Sequence, residues 1–202
     1  MNRRDFIKTA ISGSVAVTIG CSQKEITKQK KIMTVLGPIN ANELGRTLPH
    51  EHIMVDFIGA DKVTKDRYDP ENVYQKMLPY LEEIKTQCVT GFVDCTPMFL
   101  GRDVVILKRL SEATGIHVVT NSGQYKEPYL PQYAFDQSAE ELAQGWIAEF
   151  ENGIDGTTIK PGFIKIAIHK KDLEPIQQKI VRAACKTHNA TGATIACHSG
   201  YG

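Results

Sequence analysis

Residues 91–121 have the sequence GFVDCTPMFLGRDVVILKRLSEATGIHVVTN. The apolar run at 91–96 is typical of a short buried strand, and the spacing of apolar residues over 102–114 is typical of a helix. Gly115 marks the end of that helix, and a second apolar strand follows at 116–121. A strand, a helix and a strand in this order predict a parallel βαβ unit.

The same alternation continues on both sides of this unit. Further strands are predicted at 47–55, 162–168 and 193–198, further helices at 70–86, 139–151 and 172–188, and a hairpin from 31–36 and 40–47 around Gly37-Pro38. No glycine-rich phosphate-binding loop follows any predicted strand, which disfavours a nucleotide-binding doubly wound sheet. We therefore predict an α/β fold of the TIM (β/α)8 barrel type. Because such a barrel typically takes about 250 residues, we expect it to be incomplete, with about five βα units present.

The composition supports one folded domain. The chain has 202 residues, 42% hydrophobic and 23% charged, and its 24 Lys+Arg and 23 Asp+Glu leave a formal charge of +1. This balance excludes general electrostatic binding to nucleic acid, and no apolar run is long enough for a membrane span. Cys95 and Cys197 lie in apolar strand-like runs, so we expect both to be buried.

The N-terminus has the layout of an export signal. Arg3 and Arg4 precede an uncharged stretch at 9–20, which predicts a twin-arginine signal peptide over 1–20. Cys21 follows a lipoprotein-type cleavage box, 21–31 has the composition of a tether, and 32–202 is the partial barrel. We expect a periplasmic or membrane-anchored lipoprotein whose only membrane contact is a lipid on Cys21. The alternative is a short buried N-terminal helix.

Two histidines follow one another at strand spacing. His50 and His52 are two residues apart, so on a strand both side chains point to one side and Glu51 to the other. Two imidazoles converging from one strand are a suitable pair of metal ligands. The alternative is a pair of unrelated polar residues on a loop.

Two later strands carry further candidates. On the strand at 162–168 three isoleucines share the face that would pack on the helices, and Lys165 lies on the opposite, interior face. A buried lysine is unfavourable unless it is paired or used chemically, although near a strand end it could instead reach water. His198 ends the next strand at its carboxyl end, where barrel active sites are built. It could equally be a capping or core histidine.

Taken together, the chain from about residue 33 onward resembles the phosphotriesterase family of the amidohydrolase superfamily. The matching segments occur in the family's order. They are GRTLPHEH at 45–52, GFVDCTP at 91–97, LGRD at 100–103, TGIHVV at 114–119, GIDGT at 153–157, KPGFIK at 160–165 and HSG at 198–200.

The resemblance implies an active site for hydrolysis of a small-molecule ester. It implies two divalent metal ions, of which Zn²⁺ is the expected species, with His50 and His52 on the more buried ion and His198 on the more exposed one. Lys165 would be carbamylated by CO2 and bridge both ions, and a hydroxide between them would be the nucleophile. Tyr125 would lie near the substrate, which favours a lactone or other carboxylic ester over a phosphotriester, unless it is a surface loop residue. The resemblance also implies a homodimer.

The sequence departs from the family pattern at its end. The family's two remaining ligands are a histidine on the sixth strand and an aspartate on the eighth, and residues 1–202 do not reach those strands. A partial sequence of an exported hydrolase predicts coding sequence past Gly202 that supplies both. The alternatives are an inactive truncated lipoprotein, which predicts a stop codon, and one half of a split enzyme, which predicts a stop and a neighbouring reading frame.

Overall fold

The computed structural model describes residues 30–169 and 172–200. The predicted signal peptide, Cys21 and most of the predicted tether therefore lie outside the described residues. The strands are β1 (Lys31–Thr34), β2 (Gly37–Asn40), β3 (Thr47–Glu51), β4 (Gly91–Asp94), β5 (His117–Val119), β6 (Asn121–Ser122), β7 (Phe163–Ile168) and β8 (Ile195–Ser199). The helices are α1 (Pro70–Thr86), α2 (Val104–Thr114), α3 (Gln132–Asp136), α4 (Ala139–Asn152) and α5 (Pro175–Thr191), with short 3-10 turns at Ala41–Glu43 and Lys65–Arg67.

The main strands are parallel and lie side by side in chain order. The hydrogen-bonded orders are β3-β4-β5 and β6-β7-β8, and only Thr120 separates β5 from β6, so these two are halves of one strand position. A doubly wound sheet reverses its strand order at a switch point, whereas these five positions advance in one direction. The prediction of an incomplete (β/α)8 barrel with about five strand positions is confirmed.

The helices cover the outer face of the strands through two apolar clusters. The first contains Leu81 of α1, four residues of α2 and Phe92 of β4, and the second joins α4 and α5 to Ile164 and Ile166 of β7. This is the helix-facing side predicted for the isoleucines. None of the described helices is long and apolar enough to cross a bilayer.

Strand β3 contains a bulge that changes which face its side chains occupy. Leu48 is paired with Phe92 and Glu51 with Asp94, so three steps along β3 match two along β4. Leu48 packs on the outer cluster, whereas His50 contacts Lys165 on the inner side. Regular alternation would put Leu48 and His50 on the same face, so the extra residue is what turns the histidine inward.

The inner face has a small apolar base. Cys95, Val119 and Phe163 form a cluster against which Val93 and Ala196 pack. These residues lie on the same side of the sheet as Lys165, because Ala196 is the direct partner of Lys165 between β8 and β7. The polar side chains of the inner face therefore lie above an apolar floor.

Buried polar groups tie β4 to its neighbours. The Asp94 carboxylate accepts hydrogen bonds from the backbone N–H groups of Ile53 and Thr96, each at 2.9 Å. Asn121 donates from Nδ2 to the carbonyl oxygens of Asp94 and Thr96 at 3.0 Å each. The Arg102 guanidinium donates to the carbonyl oxygen of Asn121 at 2.7 Å and also pairs with Glu149 of α4. Burial raises the pKa of Asp94 to about 6 in spite of these donors.

Local elements differ from the sequence prediction near the hairpin. The turn is at Val35-Leu36, two residues before the predicted turn at Gly37-Pro38, because the Thr34 hydroxyl donates to the carbonyl oxygen of Gly37 at 2.7 Å and closes the loop there. The predicted strand at 40–47 is interrupted by a 3-10 turn at Ala41–Glu43, where the Glu43 carboxylate accepts a hydrogen bond from the N–H of Asn40.

One helix and one cysteine also differ from the sequence prediction. The short helix α3 was not among the predicted elements. Cys197 is exposed, whereas Cys95 is buried as predicted. Cys197 pairs with Ile166 and so faces outward, and in the described chain no helix follows β8 to cover it.

The packing of α2 yields a stability prediction. Leu110 is fully buried in the first outer cluster, while Val105 of the same helix is 48% exposed. We expect Leu110→Ala to lower the free energy of unfolding by about 2–5 kcal/mol, because it removes buried apolar atoms and leaves a cavity. Val105→Ala is the matched control and should change it by no more than about 0.5 kcal/mol. Chemical denaturation measures both, and equal effects would contradict the assigned faces of α2.

Asp94 yields a prediction about pH. Between pH 3.8, its ordinary pKa, and about 6, native Asp94 holds a proton that the unfolded chain has lost. The free energy of unfolding should therefore fall as the pH rises through this window, by at most on the order of 3 kcal/mol. Asp94→Asn removes the titrating group, so its unfolding curves should lack this slope. Parallel slopes for the wild type and the variant would show that Asp94 does not titrate in this way.

Candidate metal centre

Three strands bring four side chains to one region of the inner face. His50 lies in the bulged part of β3, His52 directly follows that strand, Lys165 comes from β7 and His198 from β8. The ring centroids of His50 and His52 are 5.5 Å apart, and Lys165 Nζ lies 3.4 Å from His50 Nε2. The structure therefore brings together residues that are up to 148 positions apart in the chain (198 − 50).

Lys165 is the least accessible member of this group, at 2% exposure. Among residues 30–169 and 172–200, no carboxylate forms a salt bridge with it. Burial lowers the pKa of its amine below the ordinary lysine value. An amine with a lowered pKa has a larger uncharged fraction, and the uncharged form is the one that reacts as a nucleophile.

The three histidines share this electrostatic environment. Burial lowers the pKa of each imidazole below its ordinary value, and the positive charge of Lys165 acts in the same direction on all three. Lys126 adds to the effect on His198, and His50 adds to the effect on His52. The neutral imidazoles that result have a free nitrogen lone pair, which is the form that coordinates metal ions.

Aromatic residues line the side of the group next to His198. The ring of Tyr125 lies 5.5 Å from the ring of His198 and 6.0 Å from that of Tyr129, and Phe57 lies 5.2 Å from Tyr129, all between centroids. Burial raises the pKa of Tyr125, so its hydroxyl stays protonated as a hydrogen-bond donor. Tyr125 thus lies beside the candidate site.

Sequence analysis did not identify several residues at this site. Phe57 and Tyr129 extend the aromatic side, Lys126 lies with its Nζ 5.7 Å from the centre of the Tyr125 ring, and Thr96 contacts His52. The sequence did offer one indication for Thr96, because it is the last residue of the predicted strand at 91–96 and so lies at the carboxyl end, where barrel sites are built. Loop residues such as Phe57 and Tyr129 had none, since no periodic pattern indicates how a loop folds.

The side chains gathered here suit a divalent metal ion only if the amine of Lys165 is converted into a group that can coordinate. Within the described residues, no three His, Cys, Asp or Glu side chains are close enough together to hold a metal ion. The third group beside His50 and His52 is Lys165, and an ammonium group cannot coordinate. A carbamate on Lys165 would supply anionic oxygen there, and this buried amine, which forms no salt bridge within the described residues, fits that modification.

Comparisons with known proteins show which family this chain is similar to. A sequence model described as "Phosphotriesterase family" matches residues 30–202. The phosphotriesterase homology protein of Escherichia coli is 32% identical over 158 residues, which is 78% of this chain and 53% of that protein. An aryldialkylphosphatase of Saccharolobus solfataricus is 31% identical over 161 residues, or 80% of this chain and 51% of that protein.

A solved structure shows the same fold. The organophosphorus hydrolase from Deinococcus radiodurans superimposes with a TM-score of 0.78 at 29% sequence identity, covering 85% of this chain and 54% of that one. The chain thus spans about half the length of the relatives that it matches. With the family match extending from residue 30 to residue 202, the chain belongs to the phosphotriesterase family.

Proposed function

We propose that this chain is part of a metal-dependent hydrolase that cleaves ester bonds in small molecules. The observation that carries the proposal is Lys165, which is buried on the inner face, has no carboxylate partner in the described chain and lies 3.4 Å from His50. A lysine in this position is unfavourable as a permanent cation. As a carbamate it would become an anionic ligand, and bound divalent ions would balance its negative charge.

In this proposal His50 and His52 would hold one divalent ion, His198 would hold a second, and carbamylated Lys165 would supply anionic oxygen to the same site. Imidazole nitrogen and anionic oxygen are ligands that suit Zn²⁺, which is the ion we propose. A bound pair of such ions lowers the pKa of water and polarises the oxygen of an ester. The lowered pKa values of the histidines favour loading, because protons compete less for their nitrogens.

The residues next to His198 would bind the substrate. The Tyr125 hydroxyl, beside His198, would donate a hydrogen bond to an ester oxygen, and the rings of Tyr129 and Phe57 would offer an apolar surface to the rest of the molecule. We propose lactones or other carboxylic esters as the main class because of Tyr125. Phosphotriesters are the second class, supported by the names of the aryldialkylphosphatase and the organophosphorus hydrolase.

The role of Lys165 leads to a prediction about CO2 and metal. With Zn²⁺ and ¹³C-labelled bicarbonate, the wild-type chain should give a carbamate signal in ¹³C NMR. Lys165→Met should give none. Its Zn²⁺ affinity should fall by at least about tenfold, because loss of supporting residues around metal ligands alone has effects of that size.

Lys108→Met is the control for this experiment, because Lys108 lies on the surface of α2 and pairs only with Glu112 in the described chain. It should keep both the carbamate signal and the affinity of the wild type. A wild-type chain that binds Zn²⁺ without any carbamate signal, or a Lys165→Met variant with unchanged affinity, would overturn the proposed metal centre.

Tyr125 leads to a prediction about turnover. In Zn²⁺-loaded full-length protein, Tyr125→Phe should lower lactone hydrolysis by about 10²-fold, the usual effect of removing one hydrogen-bond donor at a reacting oxygen. Its Zn²⁺ content should stay at the wild-type level. Tyr80→Phe is the control, because Tyr80 is exposed on α1. Wild-type protein that hydrolyses neither a lactone nor a phosphotriester would refute the proposed function. Full activity in Tyr125→Phe would show that the Tyr125 hydroxyl has no role in turnover.

A further inference from the structure

The ring of His52 is held by a hydroxyl group. Its Nδ1 lies 2.9 Å from the Oγ1 of Thr96, and this threonine is 1% exposed. The same hydroxyl lies 3.2 Å from the carbonyl oxygen of Met54, to which it donates. One threonine side chain thus contacts both the His52 ring and the main chain two residues further along.

The position of that hydroxyl is set by the strand and its neighbours. The backbone N–H of Thr96 donates to the Asp94 carboxylate at 2.9 Å, and its carbonyl oxygen accepts from Asn121 Nδ2 at 3.0 Å. Asp94 also accepts from the N–H of Ile53, the residue after His52. The polar network behind β4 therefore holds both sides of the contact between Thr96 and His52.

The direction of the hydrogen bond follows from counting protons. A threonine hydroxyl has one proton, and the carbonyl oxygen of Met54 can only accept. When Thr96 donates to Met54, only oxygen lone pairs remain for His52. The Nδ1 of His52 must then carry a hydrogen and donate, and in a neutral imidazole this leaves Nε2 without a proton.

We propose that Thr96 is a positioning residue that holds His52 as the Nδ1–H tautomer and so keeps Nε2 free to bind a divalent metal ion. The inference rests on the proposed function in one respect, namely that His52 is a metal ligand. The tautomer itself is a property of the metal-free chain. Metal-ligating histidines in general donate their second ring N–H to a fixed acceptor, and here a hydroxyl takes the place of the usual carboxylate or carbonyl group.

The test uses Thr96→Val, which keeps the shape of the side chain and removes the hydroxyl. In the metal-free full chain with ¹⁵N-labelled histidine, long-range ¹H–¹⁵N NMR at a pH above the imidazole pKa identifies which nitrogen of His52 is protonated. We expect the Nδ1–H form in the wild type and a mixture of tautomers in Thr96→Val. We also expect the variant to bind Zn²⁺ about 10–100-fold more weakly.

Two further variants separate this role from a structural one. Thr96→Ser keeps the hydroxyl, so it should retain the Nδ1–H form and near-wild-type Zn²⁺ affinity even if Thr96→Val folds poorly. Thr187→Val is the control, because Thr187 is fully buried in α5 and its hydroxyl donates to the carbonyl oxygen of Ala183 at 2.9 Å. It should leave the His52 spectrum unchanged.

The outcomes distinguish this inference from the proposed function. A wild-type chain with His52 protonated on Nε2, a Thr96→Val spectrum identical to the wild type, or a Thr96→Ser variant that loses the Nδ1–H form would overturn the role of Thr96. If the tautomers behave as expected but His52→Ala binds Zn²⁺ as well as the wild type, then His52 is not a ligand. That result would refute the metal-binding half of the inference and the proposed metal centre together, while the hydrogen bond would stand.

Discussion

The site depends on one extra residue in the first strand of the barrel. The bulge between Leu48 and Glu51 lets Leu48 pack on the outer apolar cluster while His50 faces the interior. A strand with regular alternation could make only one of these two contacts, because side chains two residues apart lie on the same face. Pro49 suits this place, since it lacks the N–H that a regular ladder would use. The bulge thus allows the same short strand to contribute to the core and to the site.

The second constraint is electrostatic. The inner face gathers a buried lysine and three histidines, and within the described residues no carboxylate forms a salt bridge with that lysine. Such a cluster is tolerated only if its members are largely uncharged, and burial shifts their pKa values in that direction. Uncharged amines and imidazoles are also the forms that react with CO2 and bind metal ions. The environment that would be unfavourable in a purely structural core is therefore the one that the proposed chemistry needs.

The third feature is the rigid support behind the site. Asp94, Asn121 and Arg102 connect β4, the end of the β5–β6 strand position and α4 through buried hydrogen bonds and an ion pair. Thr96 extends this network to His52. Ligand geometry in a metal centre is only as well defined as the groups that hold the ligands, so a buried network of this kind is suited to support one.

The sequence by itself determined the architecture and predicted four members of the candidate site. The alternation of strand and helix patterns, the absence of phosphate-binding loops, and His50, His52, Lys165 and His198 at strand positions were sufficient, because periodicity and strand ends are local properties of the chain. Only the tertiary structure decided the bulge in β3, the hairpin turn closed by Thr34, and the contact between Thr96 and His52. Each of these depends on which residue of a neighbouring strand or loop lies opposite, and pairing register between distant segments is set by the packing of the whole fold.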